Sequence, residues 1–151
     1  MPNMERSFKK KLEEKIVHER SARESFEQTL ELHFWQVFGE AVDRIDDVDD
    51  ICQEHGEREA VCRSELYIVG DRAIVTTNFF EHSGAAFTVQ LIAGFNQCEI
   101  KLCVGRNDAK TYRVVSNPTK SNDLEPAGVT ELVQNILEER VPAGFLHLTD
   151  F

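Results

Sequence analysis

The sequence predicts an α+β domain. N-terminal helices pack on one face of a roughly five-stranded antiparallel meander, and a C-terminal helix follows. Three observations carry this. Apolar residues recur at helical spacing as far as Cys52, the period changes to two from residue 64 to 116, and the helical period returns at residues 130–140.

The first helix reads from a single stripe. Met4, Phe8, Leu12 and Ile16 lie four apart, and the residues around them are charged: Lys9, Lys10, Lys11, Glu13, Glu14 and Lys15. A narrow apolar stripe on a polar helix suits a surface helix or one that pairs with another chain. Ser21 with Glu24, and Ser25 with Gln28, fit the capping box and predict a break or bend at residues 21–25. One continuous helix is the alternative, because no proline interrupts the segment.

The next helical stretch is broader. Phe26, Leu30, Phe34, Val37, Phe38, Ala41, Val42 and Ile45 form a wide apolar face, with Leu32 and Trp35 expected to widen it. This is the element expected to lie across a sheet, and the apolar pattern extends through Val48, Ile51 and Cys52. Gly56 supplies the C-terminal stop.

Strands follow at residues 64–69 and 72–80, rich in β-branched and aromatic side chains. Gly70 and Asp71 between them make a two-residue hairpin loop. His82, Ser83 and Gly84 end the second strand. Residues 86–94 and 97–104 form a second hairpin about Phe95 and Asn96, and residues 110–116 a fifth strand. Short connections favour antiparallel pairing. Residues 117–128 are a loop by composition. The last helix places Leu132, Val133, Ile136 and Leu137 on one side and ends at Pro142 and Gly144. The tail from 145 to 151 is expected to add a short edge strand.

A chain of 151 residues, 41% of them hydrophobic, is one domain with enough apolar surface for a core. No apolar run approaches the roughly 18 residues of a membrane span. The basic N-terminal stretch is not followed by an apolar segment, so no signal peptide is expected and the location is read as cytoplasmic. The four cysteines, Cys52, Cys62, Cys98 and Cys103, are read as reduced thiols used as small apolar residues.

The net charge of −10 is unevenly placed. Residues 1–23 carry seven basic and four acidic groups, and residues 24–65 carry three and thirteen. Residues 66–125 balance at six and six, and residues 126–151 carry one and four. This distribution argues against nucleic acid or an anionic membrane as partner, since both reward Lys and Arg. It suits a protein partner with a basic surface.

The acidic segment is the leading candidate site. Glu40, Asp43, Asp46, Asp47, Asp50 and Glu54 fall within fifteen residues, and Asp43, Asp46, Asp47 and Asp50 share a face at helical spacing. Like charges so placed repel one another, which invites a basic partner or the basic N-terminal helix of the same or a neighbouring chain. The bland reading is a solvated face. The order of acids does not fit a calcium loop.

The competing candidate is catalytic. Glu99 and Lys101, an acid-x-Lys pair on an apolar strand, resemble the signature of metal-dependent nucleases, with Asp71 as the nearest upstream acid. That resemblance implies that the acids hold Mg²⁺ and the lysine supports the attacking water. Two other acid-x-Lys pairs, Glu13/Lys15 and Asp108/Lys110, show how easily the spacing arises by chance.

Zinc is not expected, because Cys52, His55 and Cys62 lack a second ligand pair and Cys98 and Cys103 face opposite ways on a strand. No cofactor is expected, and no nucleophile elbow or phosphate loop is present. If helices cover only one sheet face, Thr76, Asn78, Thr88, Gln90, Glu99 and Lys101 share the other, which is solvated, a dimer surface or a ligand pocket. The functional expectation is a non-catalytic interaction domain (adaptor, inhibitor or chaperone-like), with self-association through residues 1–20. The alternative is a metal-dependent hydrolase or small-ligand domain around Glu99 and Lys101.

Overall fold

The computed structural model describes residues 2–80, 86–105 and 108–144. Its first element, α1 (Pro2–Glu54), is a single helix of 53 residues, about 80 Å long at 1.5 Å per residue. No break occurs at residues 21–25, and the continuous helix given as the alternative is the form adopted. Side chains there bond along the helix instead of capping a new one: Arg23 pairs with Glu27 at 3.0 Å, and Thr29 donates to the Ser25 carbonyl at 2.9 Å. The helix stops where Gly56 adopts φ 81°, and the Glu57 amide closes the turn on the Cys52 carbonyl at 2.7 Å.

Among the described residues seven strands form one sheet. β1 (Val61–Arg63) and β2 (Tyr67–Val69) both pair with β3 (Arg72–Phe80), β1 with its far half and β2 with its near half. β4 (Ala86–Gly94), β5 (Cys98–Val104) and β6 (Asp108–Val114) follow as an antiparallel meander. Of the strand expected at 64–69 only residues 67–69 form one, as β2, and β1 at 61–63 lies ahead of it and was not expected. Ser64 breaks the ladder: its hydroxyl accepts the Thr76 amide at 2.9 Å while its own amide reaches the Thr76 carbonyl at 2.8 Å. The Gly70–Asp71 loop forms as expected, with Gly70 at φ 62°.

The expected loop at 117–128 contains β7 (Asp123–Leu124), which pairs with β6 in parallel, and a 3-10 turn at Pro126–Gly128. The fifth strand lies two residues earlier than expected. α2 (Val129–Gly144) runs through Pro142, so Pro142 does not end it. The strand end at His82, Ser83 and Gly84 and the edge strand expected after residue 144 fall outside the described residues.

The core lies between the helices and one sheet face. α1 contributes Leu30, Phe34, Phe38, Ala41, Val42, Ile45 and Cys52, all buried. The sheet contributes alternate residues, among them Val75, Phe79, Val89, Leu91 and Ile100, and α2 adds Val129, Val133, Ile136, Leu137 and Val141. Phe79 and Phe87 stack across β3 and β4 with centroids 4.4 Å apart. Leu32 and Trp35 do not widen the apolar face: they are 61% and 42% exposed, Leu32 on the far side of the helix from Leu30 and Trp35 on its flank, edge-on to Phe34 at 5.1 Å. Among the described residues no helix is long and apolar enough to cross a membrane.

Candidate functional site on the long helix

α1 is longer than the sheet it covers, and this creates two surfaces. Near its C-terminal end the core side carries Ala41, Val42, Ile45 and Cys52, so the opposite side faces outward. Glu40, Asp43, Asp47, Asp50 and Glu54 follow at steps of three, four, three and four, which keeps them on that outward line. All five are exposed. They form a ridge about 21 Å long at the helical rise. Arg44 meets Asp47 at 3.6 Å and is the one cation that the described ion pairs bring to this line.

Asp46 is placed differently from its neighbours. Its carboxylate receives the Arg63 guanidinium, Nε at 2.6 Å and Nη2 at 3.4 Å, and Arg63 also donates Nη1 to the Ser64 carbonyl at 3.0 Å. Asp46 thereby ties β1 to α1. The sequence grouped it with the ridge because helical spacing alone does not show that Arg63, seventeen residues on, folds back beside it.

The second surface is the N-terminal half of the same helix. Residues 7–25 are exposed on every side. Phe8 is 67% and Leu12 46% exposed, and Ile16 and Val17 are also bare. The arm meets the body at Arg23, which donates to the Gly70 carbonyl at 2.6 Å and stacks over Phe26, itself 4.8 Å from Phe95. The basic arm and the acidic ridge of the same chain are kept apart, because one uninterrupted helix carries both.

The catalytic candidates are placed apart. Alternation holds on β5, where Cys98, Ile100 and Leu102 face the core and Glu99 and Lys101 face outward. Glu99 lies opposite Ile92 and accepts from Gln97 at 3.0 Å. Lys101 lies opposite Gln90 and Thr111. Asp71 sits in the β2–β3 turn, two strands away and about three residues farther along, so its backbone is about 14 Å from that of Glu99 at ordinary sheet spacings. One ion cannot be shared across that gap. No group of three or more potential metal ligands occurs among the described residues.

The outer sheet face is the polar surface expected from the alternation. Its groups bond one another: Tyr67 and Thr76 hydroxyls at 2.8 Å, Gln90 to Thr76 at 3.2 Å, and Thr88 to Asn78 at 2.8 Å.

One pairing has no signal in the sequence. Cys98 Sγ lies 3.4 Å from His33 Nε2, two residues 65 apart in the chain. His33 also lines a cavity of about 260 Å³, together with Thr29, Leu30, Leu32, Gln36 and Phe95. Burial raises the Cys98 thiol above its ordinary range, and the Glu99 charge adds to this, while a hydrogen bond from the Gly94 backbone opposes it. A thiol held protonated is a poor nucleophile, so the pair packs and hydrogen-bonds. Cys52 is pushed up to about 11, by burial first and then by Asp49 and Glu57.

The chain matches no protein-family model, and neither a curated protein nor a solved structure is similar to it.

Proposed function

We propose that this chain is a non-catalytic protein-association module that works through α1. The observation carrying the proposal is the outward ridge of Glu40, Asp43, Asp47, Asp50 and Glu54, five carboxylates on one line with Arg44 as their sole recorded counter-charge among the described residues. Such a row stores like-charge repulsion, and a lysine- or arginine-rich protein surface relieves it. The exposed arm of the same helix is a second association surface of apolar character. The absence of catalytic placement at Asp71, Glu99 and Lys101 favours this reading over metal-dependent hydrolysis.

The test is titration of a lysine-rich peptide against the protein and against the variant Glu40→Gln, Asp43→Asn, Asp47→Asn, Asp50→Asn, Glu54→Gln. Exposed charge pairs contribute about 0.5 kcal/mol each, so five together are worth about 2.5 kcal/mol, or roughly 60-fold in affinity at low salt. Equal affinity for the two proteins refutes the proposal.

A further inference from the structure

β1 stands at one end of the sheet and pairs with β3 on one side only. Its flanks set the phase of its hydrogen bonds. The Ser64 amide reaches the Thr76 carbonyl at 2.8 Å, and the Phe80 amide reaches the Ala60 carbonyl at 2.8 Å. Bonded and unbonded pairs alternate along an antiparallel ladder, so Cys62 bonds Asn78, while Val61 and Arg63 turn their backbone groups away from β3. Among the described residues no backbone bond is recorded for either of them on that outer side. Two amides and two carbonyls therefore line an open edge. No lysine or proline blunts it, and the Arg63 side chain is turned inward to Asp46.

The charge beside this edge selects its occupant. α1 has α2 on one flank, where Arg44 donates to Gln134 at 3.3 Å, and β1 on the other, where Asp46 receives the Arg63 guanidinium. Asp43 and Asp50, three residues before and four after Asp46, lie towards the β1 flank. Glu59 and Glu65 bracket β1 in the chain and are exposed. A second copy of β1 would bring the same carboxylates with it, so like charges oppose that pairing. An extended segment carrying lysine or arginine is attracted instead.

We infer that the basic partner presents an extended segment that adds to the sheet as a strand antiparallel to β1, with its basic side chains beside Asp43 and Asp50. This rests on the reading of the ridge as a site for a basic surface, and gives that partner a form. Main-chain bonds to Val61 and Arg63 hold the segment, and alternate side chains supply the charge. The added strand lies about 4.8 Å beyond β1. Residues directly opposite one another in an antiparallel pair share a face. Val61 is in the core and Arg63 bonds Asp46, so both face α1, and so do the partner residues bonded to them. The basic residues are thus the ones whose amides enter the ladder. The residues between them turn to the outer face beside Cys62.

Short peptides of alternating lysine and threonine, equal in length and charge, test this. One is unmodified, one carries backbone N-methyl groups on its lysines, and one carries them on its threonines. Calorimetry gives the affinities, and amide hydrogen exchange locates the added strand. Methylation of the lysines removes the partner's ladder donors, so that peptide is expected to bind about tenfold more weakly than the other two. The unmodified peptide is expected to slow exchange at Val61 and Arg63. Equal affinity of all the peptides, with Val61 and Arg63 unprotected, overturns strand addition and leaves the ridge standing. Weaker binding of the threonine-methylated peptide overturns the antiparallel arrangement, and protection at Ile68 in place of Val61 and Arg63 moves the strand to β2 and overturns β1 as the edge. Binding by none of the peptides, or binding indifferent to the ridge variant, overturns the ridge reading itself.

Discussion

Removing Asp46 and removing its ridge neighbours should have opposite consequences. Asp46→Ala deletes a two-pronged pairing with Arg63 whose side chains are 43% and 23% exposed. A fully exposed pair is worth about 0.2–1 kcal/mol, and a hydrogen bond to a charged group up to about 3. Partial exposure and solvent screening place this one at about 1–2 kcal/mol. For a chain of this length that is a fall of roughly 3–6 °C in melting temperature. Urea unfolding of Asp46→Ala, Arg63→Ala and the double variant gives the coupling directly. The single variants are expected to lose stability at an unchanged urea slope, and the double variant to lose less than their sum. Asp43→Ala, by contrast, is expected to leave stability within about 0.5 kcal/mol and to weaken binding of the lysine-rich peptide. A coupling below about 0.3 kcal/mol, or a peptide affinity that responds to Asp46 as strongly as to Asp43 with stability unchanged, refutes the division of the acidic segment into a tie and a ridge.

Two further outcomes follow from the body. Asp123 accepts the Thr119 and Lys120 amides at 3.1 and 3.0 Å and the Arg113 guanidinium at 3.1 Å. These bonds, the two amides first, hold its carboxyl at about 2, against an ordinary value of 3.8. Its folded value is the lower one, so its contribution is complete above about pH 4 and lost as pH falls towards 2. Asp123→Asn should lower stability at pH 7 and flatten the loss between pH 4 and 2 in thermal unfolding; parallel curves for the two proteins would contradict this. Thr77 is fully buried and its hydroxyl has no hydrogen-bond partner. Thr77→Val should therefore stabilise by about 1 kcal/mol in urea unfolding, and a loss of stability would show that the hydroxyl is satisfied.

The sequence carried the architecture further than the site. Periodicity identified the helical and strand regions, and the alternation in β5 correctly divided Ile100 and Leu102 from Glu99 and Lys101. Local signals failed where tertiary contacts override them. The serines at 21 and 25 suit caps, yet the helix runs on because Arg23 and Phe26 are held at the sheet edge by Gly70 and Phe95. Leu32 and Trp35 looked like core by type, and only the sheet's position shows them to be outside it. The acidic segment was visible as a cluster. Its division was not, because Arg63 reaches Asp46 through the turn after α1. Cys98 and His33 meet only because β5 lies beneath α1.

Amide chemical shifts during titration with the lysine-rich peptide show directly whether the ridge of α1 takes a basic protein surface. Perturbations are expected to concentrate between Glu40 and Glu54 and to diminish in the ridge variant. Perturbations concentrated instead at Thr76, Asn78, Thr88 and Gln90 would move the binding surface to the outer sheet face and contradict this.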